Sequence, residues 1–385
     1  MAEMENSKDL ISVLWSGADI LRSKMDANEY KDYLLGIVFY KYLSDSFLIK
    51  VYDLLFDEKP ENLKVALDAY KEALEDESAE ELKDQLKSEC HYIIEPELTY
   101  TYFAETARNN AFNREQLQKA FNNIEQSDPL FADLFTDIDL YSNRLGTGDQ
   151  KQSDTVSSLI KEIDKADLLN TDADILGNAY EYLIGQFASE TGKKAGEFYT
   201  PQPVSKILTR IAIAGQEDKR GLLVYDPCMG SGSLLLNAKK YAKEPQYIRY
   251  FGQELMTSTY NLARMNMFLH GIAPENQKLR NGDTLDEDWP TGEETDFDMV
   301  LMNPPYSAKW SAAAGFLQDE RFSDYGVLAP KSKADYAFLL HGLYHLKSSG
   351  TMAIVLPHGV LFRGASEGKI REKLLRSGNI YAVIG

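Results

Sequence analysis

The sequence is poor in cysteine and contains no long apolar run. Its 385 residues include only two cysteines, Cys90 and Cys228, which excludes a disulfide framework and a four-ligand zinc site. We therefore expect a reduced, cytoplasmic protein. No uninterrupted apolar stretch approaches the roughly 18 residues needed to span a bilayer, so no membrane partner is expected. Residues 1–5 show no cationic segment leading into an apolar one, and no secretory signal is predicted.

Basic residues are also scarce relative to acidic ones. There are 41 lysines and arginines against 60 aspartates and glutamates, which gives a formal net charge of −19. Because phosphate binding depends mainly on cationic side chains, this balance argues against a chain that coats nucleic acid alone. Any such binding must use a local patch or a partner. The hydrophobic content of 44% is that of a globular protein, and the length favours two or three domains.

The two parts of the chain have different hydrophobic patterns. Apolar residues recur at helical spacing through about residue 190, whereas short β-rich runs alternate with helix-length segments from about residue 196. We expect a helical N-terminal domain over residues 1–170 and an α/β domain over residues 171–385. Strands separated by helix-length segments predict a doubly wound, mostly parallel sheet. The predicted strands are residues 222–225, 247–252, 278–280, 297–302, 352–356 and 380–384. The main predicted helices are residues 204–214, 234–242, 258–269 and 336–346.

A glycine-rich turn follows the first predicted strand. Asp226 precedes Gly230, Ser231 and Gly232, and the two glycines permit positive φ and a close approach of backbone to a ligand. Ligands of doubly wound sheets bind outside the carboxyl ends of the strands. The spacing matches neither the nicotinamide fingerprint nor the P-loop, and an acid beside the turn suits a zwitterion better than a pyrophosphate. Alone, the motif is equally compatible with a structural turn.

Acidic residues also follow the second and third strands. Glu254 lies 28 residues after Asp226, where a carboxylate can accept two hydrogen bonds from a ribose diol. Asp283 follows the third strand and offers an acceptor for an exocyclic amine. Taken separately, an exposed glutamate at a helix start and an ordinary turn aspartate explain these two residues as well.

The fourth strand is followed by Asn303, Pro304, Pro305 and Tyr306. Two prolines stiffen the turn, so that the Asn303 amide oxygen and the Pro304 carbonyl can accept both hydrogens of a planar amine. The ring of Tyr306 supplies a face for stacking. Holding both hydrogens from one side draws the nitrogen towards tetrahedral geometry and directs its lone pair at an electrophile. This pattern predicts the activation of an aromatic amine as a nucleophile.

Residues 226–232, Glu254, Asp283 and residues 303–306 resemble the amino-methylating DNA methyltransferases that use S-adenosylmethionine. Residues 196–201, which include Phe198, Tyr199 and Thr200, resemble the cofactor motif preceding that fold. The helical N-terminal part and residues 332–338 narrow the resemblance to the modification (M) subunits of type I restriction–modification enzymes. The motifs cover residues 196–340; residues 1–190 match in helical character more than in motif.

The resemblance implies a Rossmann-like, S-adenosylmethionine-dependent domain and a role for each motif. The methionine end of the cofactor is expected over the glycine turn and residues 198–200, with Asp226 facing its amino-acid end. Glu254 is expected at the ribose and Asp283 at the adenine amine. Asn303 and Pro304 would orient N6 of an adenine flipped out of DNA, and Tyr306 would stack on that base. Neither a metal nor a covalent intermediate is expected.

The resemblance also implies partners. A specificity (S) subunit would read the DNA sequence, two M subunits would join it, and a restriction (R) subunit would complete the enzyme. Residues 307–333, predicted as a loop-like insertion, are too short for a target-recognition domain. Residues 380–384 would supply only the first strand of a C-terminal hairpin, so we expect the end of the catalytic domain to be incomplete.

Other functions remain open at this point. The chain could methylate cytosine N4, an RNA base or a protein glutamine, or it could be a catalytically idle scaffold of a nuclease complex. Cys228 is interpreted as a packing residue. Three histidines are interpreted as structural, and five basic residues near the C-terminus as a surface helix, with DNA contact as the minority alternative. These residues are His341, His345, His358, Arg363, Lys369, Arg371, Lys373 and Arg376.

Overall fold

The structure is a computed structural model that describes residues 2–171, 173–190, 199–292 and 294–385. The distances between Cα atoms divide the chain into two compact units. One comprises residues 1–191 and 268–271, and the other residues 192–267 and 272–385. Across the described ranges, none of the helices has the length and apolar character that crossing a membrane requires.

The described part of the first unit is helical, as predicted. Its longest helix, α2, buries side chains around most of its circumference. Tyr40 of α2 packs edge-on against Phe121, with ring centroids 5.3 Å apart, and its hydroxyl donates to the Leu98 carbonyl at 2.7 Å. Burial of such apolar rings is the main force that holds helices together. The helices are α1 (Ala2–Arg22), α2 (Ala27–Phe56), α3 (Leu63–Ala73), α4 (Ala79–Cys90), α5 (Tyr100–Arg108), α6 (Arg114–Ser127), α7 (Asp149–Ile163) and α8 (Ala173–Glu190).

The second unit is built on a parallel sheet, which confirms the predicted fold class. Its described strands run in the order β3-β2-β1-β4-β5. Chain order therefore reverses between β1 and β4, and such a switch point is where ligands bind in sheets of this kind. The strands are β1 (Leu223–Asp226), β2 (Arg249–Glu254), β3 (Gln277–Asn281), β4 (Phe297–Met302) and β5 (Leu346–Ile354).

Helices cover both faces of this sheet, and two apolar clusters fill the spaces beneath them. Alternate strand residues enter opposite clusters: Val224 lies on one face with Tyr250, whereas Tyr225 lies on the other with Phe251. This alternation follows from the two-residue period of a strand. The helices are α9 (Gln202–Ile213), α10 (Ser233–Leu236), α11 (Thr257–Leu269), α12 (Asp335–Tyr344) and α13 (Ala365–Arg376).

Two sequence predictions for the last part of the chain are wrong or shifted. Residues 380–384 are irregular rather than a strand, and Tyr381 is fully exposed. An apolar segment becomes a strand only beside a neighbour that takes its backbone hydrogen bonds. β5 begins six residues before the predicted strand. Its register against β4 is irregular, and a Cβ atom at Gly350 would lie 2.7 Å from the Phe297 carbonyl oxygen.

The predicted helix over residues 234–242 is also only partly correct. α10 ends at Leu236, and a 3-10 turn, Asn237–Lys240, follows it. Asn237 is buried and its side-chain amide donates to the hydroxyl of Ser205. The buried polar side chain of Asn237 interrupts the alternation of apolar and exposed positions that a longer amphipathic helix would need.

Candidate functional site

The register of the sheet brings the predicted acidic residues to one edge. Asp226 at the end of β1 is paired with Gly252 of β2, and Glu254 at the end of β2 is paired with Asn281 of β3. β1 also neighbours β4, whose last residue precedes Asn303. The carboxyl ends of adjacent parallel strands lie about 4.8 Å apart, so the acids and the Asn303 turn open onto the same crevice.

The glycine turn has the conformation that the sequence requires. Gly230 and Gly232 have φ of 54° and 79°, values that side-chain-bearing residues rarely adopt. The backbone N–H of Gly230 donates to Glu254 Oε2 at 3.2 Å, which ties the turn to β2. Ser231 is buried, and its hydroxyl lies 3.0 Å from that of Ser233. α10 is a single turn, so backbone approach rather than a long helix dipole defines this part of the crevice.

The two acids of the crevice have perturbed pKa values. Burial raises the pKa of Asp226 to about 8; a hydrogen bond from the Cys228 N–H opposes this shift, and the nearby Glu254 adds to it. Burial also raises the pKa of Glu254, against hydrogen bonds from Met256 N–H at 2.8 Å and Gly230 N–H. No lysine or arginine among the described residues forms an ion pair with either acid. A cationic ligand would therefore stabilise both ionised carboxylates.

The structure shows fewer contacts for the remaining predicted cofactor residues. Asp283 lies two residues beyond the end of β3 and is half-buried, and its carboxylate accepts a hydrogen bond from Leu285 N–H at 2.9 Å. Tyr199 is half-buried, and Thr200 is buried. Gly196, Glu197 and Phe198 lie outside the described residues, so the structure neither supports nor opposes the role predicted for this part of the cofactor motif.

The Asn303 amide is held in one orientation by two side chains. Its Nδ2 donates to Thr200 Oγ1 at 3.3 Å, and its Oδ1 accepts a hydrogen bond from the Tyr306 hydroxyl at 3.1 Å. Asn303 is 5% exposed, whereas Tyr306 is 36% exposed. The partner of the amide oxygen is thus the exposed Tyr306, whereas the partner of the amide nitrogen is the buried Thr200. Pro304 is buried and Pro305 half-buried between them, so the backbone of the turn is rigid as well.

The contact between Thr200 and Asn303 was not predicted. The sequence assigned Thr200 to the cofactor, and 103 residues separate it from Asn303. A hydroxyl and an amide this far apart in the chain give no local pattern, so only the folded structure reveals the pair. The hydroxyl contact of Tyr306 was missed for a different reason: the sequence argument used only the ring.

The histidines do not form an open metal site. Asp288, His341 and His345 bring ligand atoms within 4.8 Å of one another, but each ring nitrogen already lies close to a protein group. Arg321 Nη1 lies 3.2 Å from His341 Nδ1 and Tyr225 Oη lies 2.8 Å from its Nε2. A guanidinium at this distance repels a metal cation. Burial lowers the pKa of His341 well below its usual value, which keeps the ring neutral.

The other discounted residues have structural partners. Burial raises the pKa of the Cys228 thiol, which disfavours the nucleophilic thiolate. Among the C-terminal basic residues, Arg363 pairs with Asp335, Arg371 donates to backbone carbonyls, and Arg376 pairs with Glu372. These contacts favour the interpretation as a helix surface over that as a DNA-binding patch.

A switch-point crevice with a glycine turn, two buried acids and an oriented amide defines an S-adenosylmethionine-dependent methyltransferase. Comparison with known sequences gives the narrower class. The model of the N-6 DNA methylase family matches residues 171–385, and that of the HsdM N-terminal domain matches residues 10–163. The chain belongs to the N-6 DNA methylase family, among the methylase subunits of type I restriction enzymes. It is an adenine-specific DNA methyltransferase, and its cofactor is S-adenosylmethionine.

Individual relatives support this family. The type I restriction enzyme MpnII methylase subunit of Mycoplasma pneumoniae is 36% identical over 96% of this chain and 72% of its own length. The MjaVIII methylase subunit of Methanocaldococcus jannaschii is 31% identical over 98% of this chain and 62% of its own. The crystal structure of a type I restriction–modification methyltransferase subunit from Streptococcus thermophilus has a TM-score of 0.93 and 60% identity, over 97% of this chain and 79% of that one. These matches confirm the predicted family and do not favour the alternatives of a cytosine, RNA or glutamine methyltransferase or an idle scaffold.

Proposed function

We propose that residues 303–306 bind the amine of a flipped adenine. The observation that supports this assignment is the orientation of the Asn303 amide. Its Oδ1 accepts a hydrogen bond from the hydroxyl of Tyr306, a residue that is 36% exposed. An incoming N6 amine can replace that hydroxyl as donor. Pro304 O is the second acceptor, and with both hydrogens held the lone pair of N6 points into the crevice.

Tyr306 has two tasks in this proposal. Its ring stacks on the extruded base, an interaction worth roughly 1–3 kcal/mol, which offsets part of the cost of unstacking. Its hydroxyl satisfies Asn303 Oδ1 until the base arrives. Burial raises the pKa of Tyr306, so the hydroxyl keeps its proton and remains a donor at neutral pH.

The acids and the glycine turn fit the cofactor. S-adenosylmethionine supplies an electrophilic methyl group on a cationic sulfonium. We propose that Asp226 binds the amino-acid end, Glu254 the ribose hydroxyls and Asp283 the adenine amine, with Gly230, Ser231 and Gly232 in backbone contact. Phe198, Tyr199 and Thr200 complete the set. Carboxylates that form no ion pair with a described lysine or arginine and have raised pKa values favour a positively charged ligand, and exclusion of water from this crevice strengthens the attraction.

Replacement of Asn303 by alanine tests the proposal. Asn303→Ala should abolish methyl transfer and leave cofactor affinity nearly unchanged, because the amide contacts the target rather than the donor. Transfer is measured with labelled S-adenosylmethionine, duplex DNA and the cognate specificity subunit, and binding by calorimetry. The methylated nucleoside is identified by mass spectrometry.

Tyr306 provides the comparison. Tyr306→Phe keeps the stacking face and should be mild, whereas Tyr306→Ala should weaken capture of the base more than the chemical step. Retained turnover in Asn303→Ala would discard the assigned role. A product other than N6-methyladenine would show that the target amine is misassigned.

We also propose the partners and the boundary of the catalytic domain. The relatives are subunits, the chain carries a net charge of −19, and residues 307–333 are too few to recognise a DNA sequence. These facts support a separate specificity subunit, joined by a second methylase subunit and a restriction subunit. DNA as substrate supports a cytoplasmic location. The matches over residues 10–163 and 171–385 support a domain boundary near residue 170, whereas the compact units divide at residue 191. Limited proteolysis can distinguish the two positions.

A further inference from the structure

Asp335 is a charged residue without any exposed surface. It begins α12 within residues 332–338, a segment to which the proposed function assigns no task. A buried carboxylate is costly unless it is both hydrogen-bonded and paired with a cation. Its partners therefore indicate why a charge is kept there.

The first partner is the turn that carries the target-binding residues. Asp335 Oδ1 accepts a hydrogen bond from the backbone N–H of Ser307 at 2.8 Å, and Ser307 directly follows Tyr306. Ser307 has a φ of 52°, a left-handed conformation that a serine adopts only when surrounding contacts enforce it. The carboxylate supplies such a contact. A second hydrogen bond, from Ala334 N–H to the Ala308 carbonyl at 2.9 Å, holds the same two segments together.

The second partner is Arg363. Its Nη2 bonds to Asp335 Oδ2, and its Nε lies 2.7 Å from Glu367 Oε2. Glu367 is 3% exposed, so one guanidinium compensates two buried acids. The backbone of the arginine is itself fixed, since its backbone N–H donates to the Gly359 carbonyl at 2.9 Å and its backbone carbonyl accepts from Arg371 Nη1 at 2.9 Å. Asp335 is thus paired with a cation whose backbone is held in place.

We infer that Asp335 is a positioning residue for methyl transfer: backed by Arg363, its carboxylate holds the Tyr306–Ser307 turn in the conformation that presents Asn303 and Tyr306 to the target base. The inference rests on the function proposed for those two residues. Asp335 touches neither substrate nor cofactor. Without it, Ser307 relaxes towards negative φ and carries with it the Tyr306 ring.

The amide analogue separates the two contacts of the carboxylate. In Asp335→Asn the side chain can offer its oxygen to Ser307 N–H or to Arg363, but its NH2 group must then face a donor. One contact is lost while the shape is kept. A displacement near 1 Å of groups that orient the nucleophile costs about a hundredfold in rate. We therefore expect kcat to fall about a hundredfold, with unchanged cofactor affinity.

Asp298→Asn is the matched control. Asp298 is also without exposed surface, accepts a backbone N–H from Leu223 at 3.0 Å and pairs with a cation, Lys347 Nζ, at 3.0 Å. It lies at the start of β4, at the opposite end of that strand from Asn303. Both variants should lower the melting temperature, but only Asp335→Asn should lower kcat strongly. Duplex DNA with 2-aminopurine at the target position, bound together with the specificity subunit, reports base capture independently of chemistry. Its fluorescence in the complex should differ from that with the parent enzyme only in Asp335→Asn.

The outcomes are distinct. A kcat in Asp335→Asn that matches the one in Asp298→Asn, or normal 2-aminopurine fluorescence, overturns the inference. If Asp335→Asn does not fold, Arg363→Lys decides, because lysine keeps the charge but not the forked geometry; unchanged kcat in that variant overturns the inference too. Asn303→Ala is assayed alongside. If it retains turnover, the proposed function fails; if it is inactive while Asp335→Asn is fully active, only the positioning role fails.

Discussion

At the scale of single residues, Asp226 shows how a binding site costs stability. It is 1% exposed, and burial raises its pKa to about 8. In the unfolded chain an aspartate has a pKa near 3.8. Between pH 4 and 8 the folded chain therefore holds a proton that the unfolded chain has released, so the free energy of unfolding falls as pH rises through this window.

Asp226→Asn should remove this pH dependence. The amide oxygen still accepts the Cys228 N–H, but the side chain no longer ionises. We expect the variant to be more stable than the parent above pH 8 and to lose most of that advantage by pH 5. Its affinity for the cofactor should be lower, because the carboxylate that we propose faces the cationic ligand is gone. Thermal melts and cofactor titrations across pH 5 to 9 measure both effects.

The pH profile of binding provides an independent check. In the parent, cofactor affinity should rise up to about pH 8 as Asp226 ionises, and in Asp226→Asn this dependence should flatten. Parallel stability curves for the two proteins would contradict the assignment of a buried, proton-binding Asp226.

The sequence predicted the positions of the candidate residues at the strand ends better than it predicted their contacts. Asp226, Glu254 and Asn303 stand where expected, because a strand followed by a glycine or proline turn is a local pattern. The Thr200 contact of Asn303 and the Ser307 contact of Asp335 join residues 103 and 28 positions apart. Such pairings depend on how the chain crosses the sheet, which no local spacing encodes.

At the scale of elements, residues 307–333 are more ordered than the predicted loop-like insertion. They contain two 3-10 turns, Ala314–Gln318 and Ser323–Tyr325, and Trp310 packs against Phe322 with ring centroids 5.6 Å apart. Arg321 anchors the segment. Its side chain is 1% exposed, and it pairs with Asp319 at 2.7 Å and donates to the Thr284 carbonyl at 2.9 Å.

Arg321→Met should therefore destabilise the second unit. Loss of the guanidinium leaves the Thr284 carbonyl without its donor and the Asp319 carboxylate without its cation, although the backbone N–H of residue 321 still donates to Asp319. The cost is on the order of 3 kcal/mol for a buried pair. Arg376→Met is the control, because its pair with Glu372 is exposed (78% and 62%) and is expected to be worth less than about 1 kcal/mol. Urea unfolding measures both. Equal changes in the two variants would show that Arg321 is not an anchor.

Strand prediction succeeded where a segment is buried on both faces and failed at the edge. β4 has the predicted bounds and every residue buried. The sequence missed the first part of β5 because residues 347–351 are polar or glycine and therefore show no apolar pattern. Residues 380–384 have strand-like composition but are irregular, because composition without a pairing neighbour does not make a strand.

At the scale of the whole molecule, the acidic excess limits what the chain does alone. With a net charge of −19, the isolated chain should bind duplex DNA no more tightly than typical non-specific complexes, about 10⁻⁴–10⁻⁶ M at physiological salt, and without sequence preference. Adding the proposed specificity subunit should create site-selective binding with a steep salt dependence. Fluorescence anisotropy with cognate and scrambled duplexes measures this. Discrimination by the chain alone would contradict the proposed division of labour.

The Thr200–Asn303 hydrogen bond has a consequence for the timing of activity. The glycine turn and β2 form from residues close in sequence, but the amide is aimed only when a hydroxyl emerging from the ribosome 103 residues earlier has met it. A half-folded chain can thus hold a donor and still lack an oriented acceptor. Methyl transfer by a newly made chain is therefore expected only after its sheet has closed.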